Sequence, residues 1–297
     1  MRIDPYSLEL FISVIEEGSI ARAASRSHIA PSALSRRIAD LEAAIGVALL
    51  IRSPSGVQPT EAGRHAYASA RAIHGRLEDM AREVQSMSGQ IAGIVRLHAN
   101  ASAIVGFLPE RLTTFKARYP LAGIALTEQI SDEVIRACLD DRADVGISAS
   151  GKTPAGLDSW HFADDPLMVV LPPGHELAQA DNLSFAEVTR FPLVALQAGG
   201  SLDQTLKEHA DAARLPLNVT VTVNSFDAQC RMVEAGLGIG IVPTSAASAF
   251  AGSRNFVRLP LRESWGSGRT LRVHAPRKSS RLKAVQALID TLIDSKG

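Results

Sequence analysis

Several features by which protein classes are recognised are scarce in this sequence of 297 residues. It has two cysteines, Cys138 and Cys230, which lie far apart without metal-ligand spacing, so we expect two reduced core thiols and no metal site. Neither charge sign is in excess, with 31 Lys and Arg against 31 Asp and Glu, so overall charge favours neither nucleic acid nor a membrane. No apolar run approaches the roughly 18 residues that a membrane helix needs, and the start, MRIDPYSLELF, carries no secretion signal. We therefore expect a soluble cytoplasmic protein with no membrane partner.

Complete catalytic motifs are also missing. Residues 146–153, GISASGKT, match the phosphate-loop pattern G-x-x-x-x-G-K-[ST], but PAGLDSWHFADDP follows without the helix that a working phosphate loop needs. The glycines of residues 236–240, GLGIG, come after a helical pattern and before a strand, which is the wrong order for a dinucleotide site. Residues 175–176, His-Glu, lack the second His of a zinc-protease motif. We therefore interpret the phosphate-loop match as accidental and predict a non-enzyme without a cofactor.

The first sixty residues carry the pattern of three helices. A first apolar stripe ends at Gly18, Ser19 can cap a short second helix, and a third helix runs from Pro31 to Gly46. The outward face of the third helix is small and hydroxylic, with two arginines, and residues 19–39 contain four arginines and no acid. Two short helices with a tight break are typical of a helix-turn-helix that enters a major groove. A three-helix interaction domain with a solvated basic face is the alternative.

The segment LELFISVIEEGSIARAASRSHIAPSALSRRIADLEAAIGVALLIRSPSGVQPTEAG resembles, without gaps, the winged helix-turn-helix of LysR-type transcriptional regulators. The likeness rests on positions that include Phe11, the Ser-Ala-Leu-Ser run at 32–35 and the Thr-x-Ala-Gly run at 60–63. It implies base-edge contacts from the start of the third helix and a wing at residues 49–59. Ser55 stands where the family's wing often carries Arg. The DNA-binding residues that the resemblance implies are Pro31, Ser32, Ser35, Arg36, Arg37 and Arg52.

Residues 60–88 can form one long helix, because no proline interrupts them. Apolar positions spaced alternately by four and three indicate a coiled-coil seam, on a helix about 43 Å long. A helix packed only on its own domain is the alternative. We expect a homodimer through residues 60–88, with a homotetramer as a further possibility, and the resemblance implies the same linker helix. The seam positions are Ala66, Ala70, Ile73, Leu77, Met80, Val84 and Met87.

Beyond residue 88, apolar strands alternate with helical patterns, which indicates α/β subdomains with parallel sheets. The resemblance implies that this half binds an effector and is similar to periplasmic solute-binding proteins. It also makes residues 146–156 a strand end and exit loop. The predicted fold is therefore an all-α winged helix-turn-helix, a long linker helix and two α/β subdomains. The predicted domains are 1–59 (DNA binding), 60–88 (linker and dimerisation), 92–162 with 266–297 (subdomain I) and 163–265 (subdomain II).

Two stretches are candidates for the effector site. HANAS and QAGGS each follow a predicted strand and offer hydroxyl or amide groups with free N–H groups at a helix start, which suits an anion. Simple helix capping is the alternative role for these side chains. No Arg or Lys stands out in the two loops, so we expect a small carboxylate or a polar metabolite. The resemblance places the effector between the subdomains, and the candidate residues are Asn100, Ser102, Gln129, Ser148, Gln197, Gly199, Ser201 and Ser225.

The function predicted from these features is a ligand-responsive transcription regulator that binds double-stranded DNA at promoter dyad sites. A solute-binding protein for transport is the alternative that the C-terminal half alone would favour, and a phosphate-loop enzyme is a weaker one. The effector, the operator and the choice between activation and repression stay open at this point.

Overall fold

A computed structural model describes residues 3–53, 56–86, 91–149, 153–252, 255–278 and 281–294. The chain divides into two units, one of Met1–Ser88 with Asp140–Arg142 and the other of Gly89–Leu139 with Ala143–Gly297. In the part of the chain that the structure describes, none of the helices combines the length and the apolar character that crossing a membrane requires.

The first unit begins with three helices whose ends follow from their cap residues. Ser19 accepts a hydrogen bond from the N–H of Arg22 at 3.4 Å and so caps the second helix. Gly18 and Gly46 end the first and third helices with φ of 59° and 86°, a left-handed conformation that favours glycine. The three predicted helices are therefore confirmed, as α1 (Pro5–Glu17), α2 (Ile20–Arg26) and α3 (Pro31–Ile45).

Helix α3 packs by its apolar stripe into the core of this unit. Leu34, Ile38 and Leu41 are buried together with Phe11 of α1. Burial of this stripe leaves the opposite face of α3, with its hydroxyl and arginine side chains, to the solvent.

The predicted wing is an antiparallel hairpin of β1 (Leu50–Ser53) and β2 (Gly56–Pro59). A Cβ added at Gly56 would lie 2.7 Å from the carbonyl oxygen of Gly18, so only glycine allows the wing to approach the end of α1 this closely. Ser55, the departure from the family pattern, lies outside the described residues.

Helix α4 (Glu61–Ser86) is the predicted linker helix, and residues 87–88 of the prediction lie outside the described residues. Its apolar positions divide into two sets. Ala66 and Ala70 pack against the core of the first unit, whereas Ile73, Leu77 and Met80 are exposed. The seam available to a second chain therefore begins after Ala70, and the side chains of its last two positions, 84 and 87, lie outside the description.

The second unit contains a five-stranded sheet in which the predicted parallel arrangement is only partly present. The order is β4-β3-β5-β12-β6, with β3 parallel to β4 and β5 but β12 antiparallel to both β5 and β6. The sheet is mixed because β12, which returns from the C-terminal part of the chain, runs antiparallel to its two neighbours. The predicted grouping of residues 266–297 with residues 92–162 did not include this direction. Its strands are β3 (Gly93–Ala99), β4 (Ala122–Glu128), β5 (Val145–Ser148), β6 (Leu157–Asp164) and β12 (Thr270–Pro276).

Strand β6 lies within PAGLDSWHFADDP, residues 154–166, where no strand was predicted. It is an edge strand that pairs with β12 alone, and only Leu157 and Phe162 along it are buried. An edge strand needs few apolar positions, so polar residues such as Asp158 hid it from pattern reading. A strand in this place also supplies no helix for the phosphate-loop match at 146–153, whose residues 150–152 lie outside the description.

Helices cover this sheet and enclose a core that includes Leu97, Phe115 and Leu288. Two consecutive helices precede β4, because the chain leaves helical geometry between them at Phe107 (φ −134°, ψ −37°). The helices are α5 (Ala101–Gly106), α6 (Leu108–Arg118), α7 (Ser131–Leu139) and α13 (Lys283–Ile293).

The other half of this unit also departs from a purely parallel sheet. Strand β7 lies between β10 and β11 and is antiparallel to both, while β8 and β9 form a separate parallel pair. The strands are β7 (Leu167–Leu171), β8 (Leu193–Leu196), β9 (Val219–Val223), β10 (Gly240–Pro243) and β11 (Val257–Pro260). The helices are a 3-10 turn (Glu176–Gln179), α8 (Phe185–Val188), α9 (Ser201–Ala213), α10 (Phe226–Glu234), α11 (Thr244–Ala251) and α12 (Ser264–Ser267).

Two short segments connect the halves of the second unit. One lies between β6, which ends at Asp164, and β7, and the other between α12, which ends at Ser267, and β12. The predicted limits at 162/163 and 265/266 fall just inside β6 and α12. The second segment places the side chain of Arg269 next to a cleft.

Candidate nucleic-acid interface and ligand cleft

The exposed face of α3 joins the wing through one hydrogen bond. Nη1 of Arg52, on β1, donates to Oγ of Ser35 on α3 at 2.9 Å. Pro31, Ser32 and Arg36 are exposed beside them, and Arg36 has no hydrogen-bond or ion-pair partner among the described residues. Five of the six predicted DNA-binding residues therefore share one open surface of helix and wing.

Arg37, the sixth, has a different environment. Its Nη1 lies 2.9 Å from Oδ2 of Asp4 and 3.3 Å from Oγ of Ser7, and its guanidinium lies 4.9 Å from the centre of the Tyr6 ring. These contacts hold the side chain against the start of α1. Sequence reasoning could not anticipate this because Asp4 is distant from Arg37 in the chain.

Two glutamates of α1 partly neutralise the positive charge of residues 19–39. Arg26 forms an ion pair with Glu17 at 3.0 Å and lies 3.6 Å from Glu16, while Nε of Arg22 lies 3.7 Å from Glu17. The two glutamates end α1 just before the acid-free stretch. Arg36 is consequently the cation of this stretch that the described structure leaves open to a partner.

A cleft of about 380 Å³ lies between the two halves of the second unit. It is lined by residues from the carboxyl ends of strands and the starts of helices, as the sequence predicted. The predicted residues that line it are Asn100, Ser102, Gln129, Gln197 and Ser201.

Hydroxyl groups join the two sides of this cleft. The side chain of Asn100 caps α5, and its Nδ2 donates to Oγ of Ser131 at 3.3 Å. The Oγ of Ser131 in turn lies 3.3 Å from Oγ of Ser201, at the start of α9 on the other side. Sequence reasoning missed Ser131, although its position at a helix start after β4 is the same kind of signal that identified Ser201.

Arg269 lines the cleft, although the two loops predicted to form it contain no Arg or Lys. It lies in the second crossing segment, outside the loops that were considered, and its Nη2 donates to Oγ of Ser102 at 2.9 Å. Its Nη1 is 2.7 Å from Oδ2 of Asp165, whose side chain is fully buried in the first crossing segment. Burial lowers the pKa of Arg269, and the negative charge of Asp165 opposes this effect. The ion pair between the two side chains connects the two crossing segments.

Carboxylates also line the cleft. Asp203 forms an ion pair with Lys207 at 2.9 Å and accepts a hydrogen bond from the N–H of Gly199 at 3.1 Å. Glu128 has no ion-pair partner among the described residues. The first turn of α9 has no side-chain cap, so its N–H groups face this mixed set of charges.

Three predicted effector residues do not line the cleft. The Oγ of Ser148 is buried 3.0 Å from Nε2 of His274, and Ser225 caps α10 by accepting from the N–H of Ala228 at 3.2 Å. Gly199 has φ of 98° and serves the turn before α9. Capping, the alternative considered for such side chains, therefore accounts for Ser225.

The glycines at 236–240 connect a helix to a strand. A Cβ at Gly238 would lie 2.5 Å from the carbonyl oxygen of Pro192, and β10 begins at Gly240. Their role is close packing, as expected from their order in the sequence.

Two protein-family models match this chain. Residues 88–296 match the LysR substrate binding domain, and residues 6–64 match the bacterial regulatory helix-turn-helix protein of the lysR family. The probable HTH-type transcriptional regulator LrrA of Synechococcus elongatus is 29% identical over 241 residues, 81% of this chain and 81% of the relative.

Solved structures share the fold over nearly the whole chain. Full-length CbnR complexed with its target DNA superposes with a TM-score of 0.69 at 21% identity, covering 98% of this chain and 99% of that chain. Full-length OxyR from Pseudomonas aeruginosa gives a TM-score of 0.74 at 20% identity, covering 98% and 95%. Identities this low establish the fold alone.

Proposed function

We propose specific roles for the described residues of this chain, which belongs to the LysR family of transcriptional regulators. The protein is a ligand-responsive regulator that binds DNA through a winged helix-turn-helix, and it is not an enzyme. It takes a small-molecule effector between its two α/β subdomains and forms an oligomer. Because its partner is promoter DNA, we assign it to the cytoplasm.

We assign the reading of bases to the start of α3. The observation that carries this assignment is the open face on which Arg36 is unpaired and Ser32 is exposed, beside the Arg52–Ser35 hydrogen bond. A short hydroxylic helix face lets the backbone come close to a groove, and an unpaired arginine can bond the edge of a guanine. Arg52, on the wing, is positioned to contact the DNA backbone next to α3.

We assign subunit pairing to the exposed stripe of α4. Ile73, Leu77 and Met80 follow coiled-coil spacing and are all exposed in the single chain. Pairing through them would bury apolar area that water now contacts. Two recognition helices would then reach successive major grooves about 34 Å apart.

We assign the effector to the 380 Å³ cleft. The uncapped first turn of α9 offers N–H groups to a carboxylate, and Ser201 and Ser131 add hydroxyls. Arg269 is already engaged by Asp165, and Glu128 adds negative charge. A singly charged polar carboxylate that also carries a donor for Glu128 fits this set better than a phosphate.

A ligand screen with cleft variants tests this assignment. Small carboxylates and amino acids are screened by their effect on the thermal unfolding of the wild-type chain, and the hits are repeated with Ser201→Trp. Binding stabilises the folded state, so a ligand of the cleft should stabilise wild type but not this variant. Ala212→Trp, at an exposed site on the same helix and outside the cleft, is the control. Hits that stabilise Ser201→Trp as strongly as wild type would place the effector elsewhere.

A further inference from the structure

A side pocket of about 170 Å³ lies next to the cleft in the second unit. An engineered apolar cavity of about 150 Å³ takes a benzene ring, so the side pocket has room for a group of that size. It shares three lining residues with the cleft, Ser201, Leu202 and Arg269, so the two spaces are neighbours. The residues that line the side pocket alone are Ala149, Leu167, Thr205, Trp265, Gly268 and Thr270.

None of these six residues is charged, and the largest side chain among them is the indole of Trp265. The indole is stacked on the imidazole of His209, with ring centres 4.2 Å apart and planes 11° apart. It also meets the ring of Phe185 in a T-shaped contact with centres 5.3 Å apart. These two contacts hold the indole in place before a ligand arrives. A fixed aromatic wall favours an apolar or aromatic group, since aromatic rings attract each other beyond the area that they bury.

Two of the polar side chains that line the side pocket are already bonded within the protein. The hydroxyl of Thr205 donates to the carbonyl oxygen of Ser201 at 2.8 Å. The guanidinium of Arg269 donates to Asp165 and Ser102. An apolar group can therefore fill the side pocket without taking a hydrogen-bond partner from either side chain.

The contact between Ser131 and Ser201 marks the border between the two spaces. Ser131 lines the cleft and Ser201 lines both spaces, while Oγ of Ser131 also accepts from the N–H of Ala149, in the side pocket, at 3.1 Å. The two hydroxyl oxygens are 3.3 Å apart, which is long for a hydrogen bond between hydroxyls. A carboxylate at this border can accept a hydrogen bond from each hydroxyl, and such charge-assisted bonds are stronger than the neutral one. The rest of the ligand then lies within reach of the side pocket.

We propose that the side pocket is a subsite for the apolar part of the effector, which is a small carboxylate that carries an aromatic ring or an apolar group of that size. The proposal rests on the function proposed above, because it uses the cleft for the carboxylate. The carboxylate accepts from Ser131 and Ser201, and the ring lies against Trp265 and Leu167.

Lactate and 3-phenyllactate test the proposal, because both carry a carboxylate and a hydroxyl donor and they differ by one phenyl group. Isothermal titration calorimetry of the full chain should show that phenyllactate binds between about tenfold and a hundredfold more tightly, since its ring is buried. Thr205→Phe, which fills the side pocket, should reduce its affinity to about that of lactate. Gln204→Phe, at the neighbouring exposed position outside both spaces, is the control and should keep the gain. Equal binding of the two compounds by wild type, no binding, or an unchanged phenyllactate affinity in folded Thr205→Phe overturns the proposal.

Tryptophan fluorescence keeps the test decisive if Thr205→Phe fails to fold. The chain has two tryptophans, so Trp160→Phe leaves Trp265 as the only one. A phenyl ring in the side pocket displaces water from this half-buried indole, so phenyllactate should shift its emission to shorter wavelength and lactate should not. No shift at saturating phenyllactate, or the same shift with lactate, contradicts the proposal.

Ser201→Trp distinguishes failure of the subsite from failure of the effector assignment. If lactate and phenyllactate bind wild type equally and Ser201→Trp prevents the binding of both, the cleft is supported and the side pocket is overturned. If both bind Ser201→Trp as tightly as wild type, the effector assignment fails, and this proposal fails with it.

Discussion

Arg36 and Arg37 are adjacent in α3, yet the structure gives them different environments. Arg36 is open to solvent, whereas Arg37 contacts Asp4, Ser7 and the ring of Tyr6. The sequence pattern could place both outside the core but could not separate their roles, because the contacts of Arg37 come from a segment about thirty residues away. The role of Arg37 in DNA binding therefore stays a prediction.

Arg36→Ala should weaken binding to the preferred DNA site by about 1–3 kcal/mol and relax the preference at one base pair, because a contact to a base edge is lost. Arg37→Ala is the matched control. It should keep the base preference and change the free energy of unfolding little, since its ion pair with Asp4 is exposed. Fluorescence anisotropy with single-base variants of the site measures the first effect, and urea unfolding measures the second. An unchanged base preference in a folded Arg36→Ala would remove this side chain from the reading face.

Asp165→Ala should destabilise the second unit strongly. The change leaves Arg269, whose side chain is 11% exposed, without its carboxylate, and an uncompensated buried charge costs about 3–5 kcal/mol. Urea unfolding measures this loss. Asp227→Ala, which removes an exposed ion pair with Arg231, is the control. A loss for Asp165→Ala as small as that of the control would show that the pair does not join the crossing segments.

His274 should make the protein less stable in acid. Its pKa is lowered to about 4 by burial, and secondly by Arg272, from an ordinary value of 6.5. The unfolded chain therefore binds a proton more readily below pH 6.5, and stability falls as pH drops from 6.5 to about 4, by about 3 kcal/mol in total. Urea unfolding from pH 7 to pH 4 should show this extra loss in wild type and not in His274→Gln. Parallel curves for the two proteins would refute the assignment.

Helix α4 carries both buried and exposed apolar positions along its length. Ala66 and Ala70 belong to the core of the first unit, and the apolar stripe beyond them is exposed. Heptad spacing predicted an apolar stripe along α4 but could not show which positions its own domain would bury, because intrachain and interchain seams share one pattern. Strand β6 was not predicted for a different reason, since an edge strand carries too little apolar pattern to be recognised.

Leu77→Glu should dissociate the subunits, because it places a charge in the middle of the exposed stripe. Light scattering at low micromolar concentration should give the mass of a single chain for this variant and a multiple of it for wild type. Arg76→Glu, next to the stripe, is the control for added negative charge. A Leu77→Glu protein that keeps the wild-type mass would exclude the stripe as the subunit contact.

In the whole molecule, local sequence patterns predicted individual helices and strands better than they predicted which distant segments pair. Helix caps and apolar stripes located the helix-turn-helix, and the strand-end rule brought Asn100, Gln129 and Ser201 to one cleft. The antiparallel return of β12, and the Arg269–Asp165 pair beside it, depend on segments about a hundred residues apart. The sequence grouped residues 266–297 with residues 92–162, but no periodicity in one sequence encodes the direction of β12 or its neighbouring ion pair, so these two features were missed.

We propose that this chain reads DNA sequence through α3 as a paired molecule. Selection of bound duplexes from a random double-stranded library by the full chain tests it most directly, with Arg36→Ala and Leu77→Glu selected in parallel. We expect an enriched site of two inverted half-sites with centres about 34 Å apart or a multiple of that distance. Arg36→Ala should lose one position within each half-site, and Leu77→Glu should lose the pairing of half-sites. A library that stays unenriched with the folded wild-type chain, or an enriched site that Arg36→Ala leaves unchanged, would contradict the account.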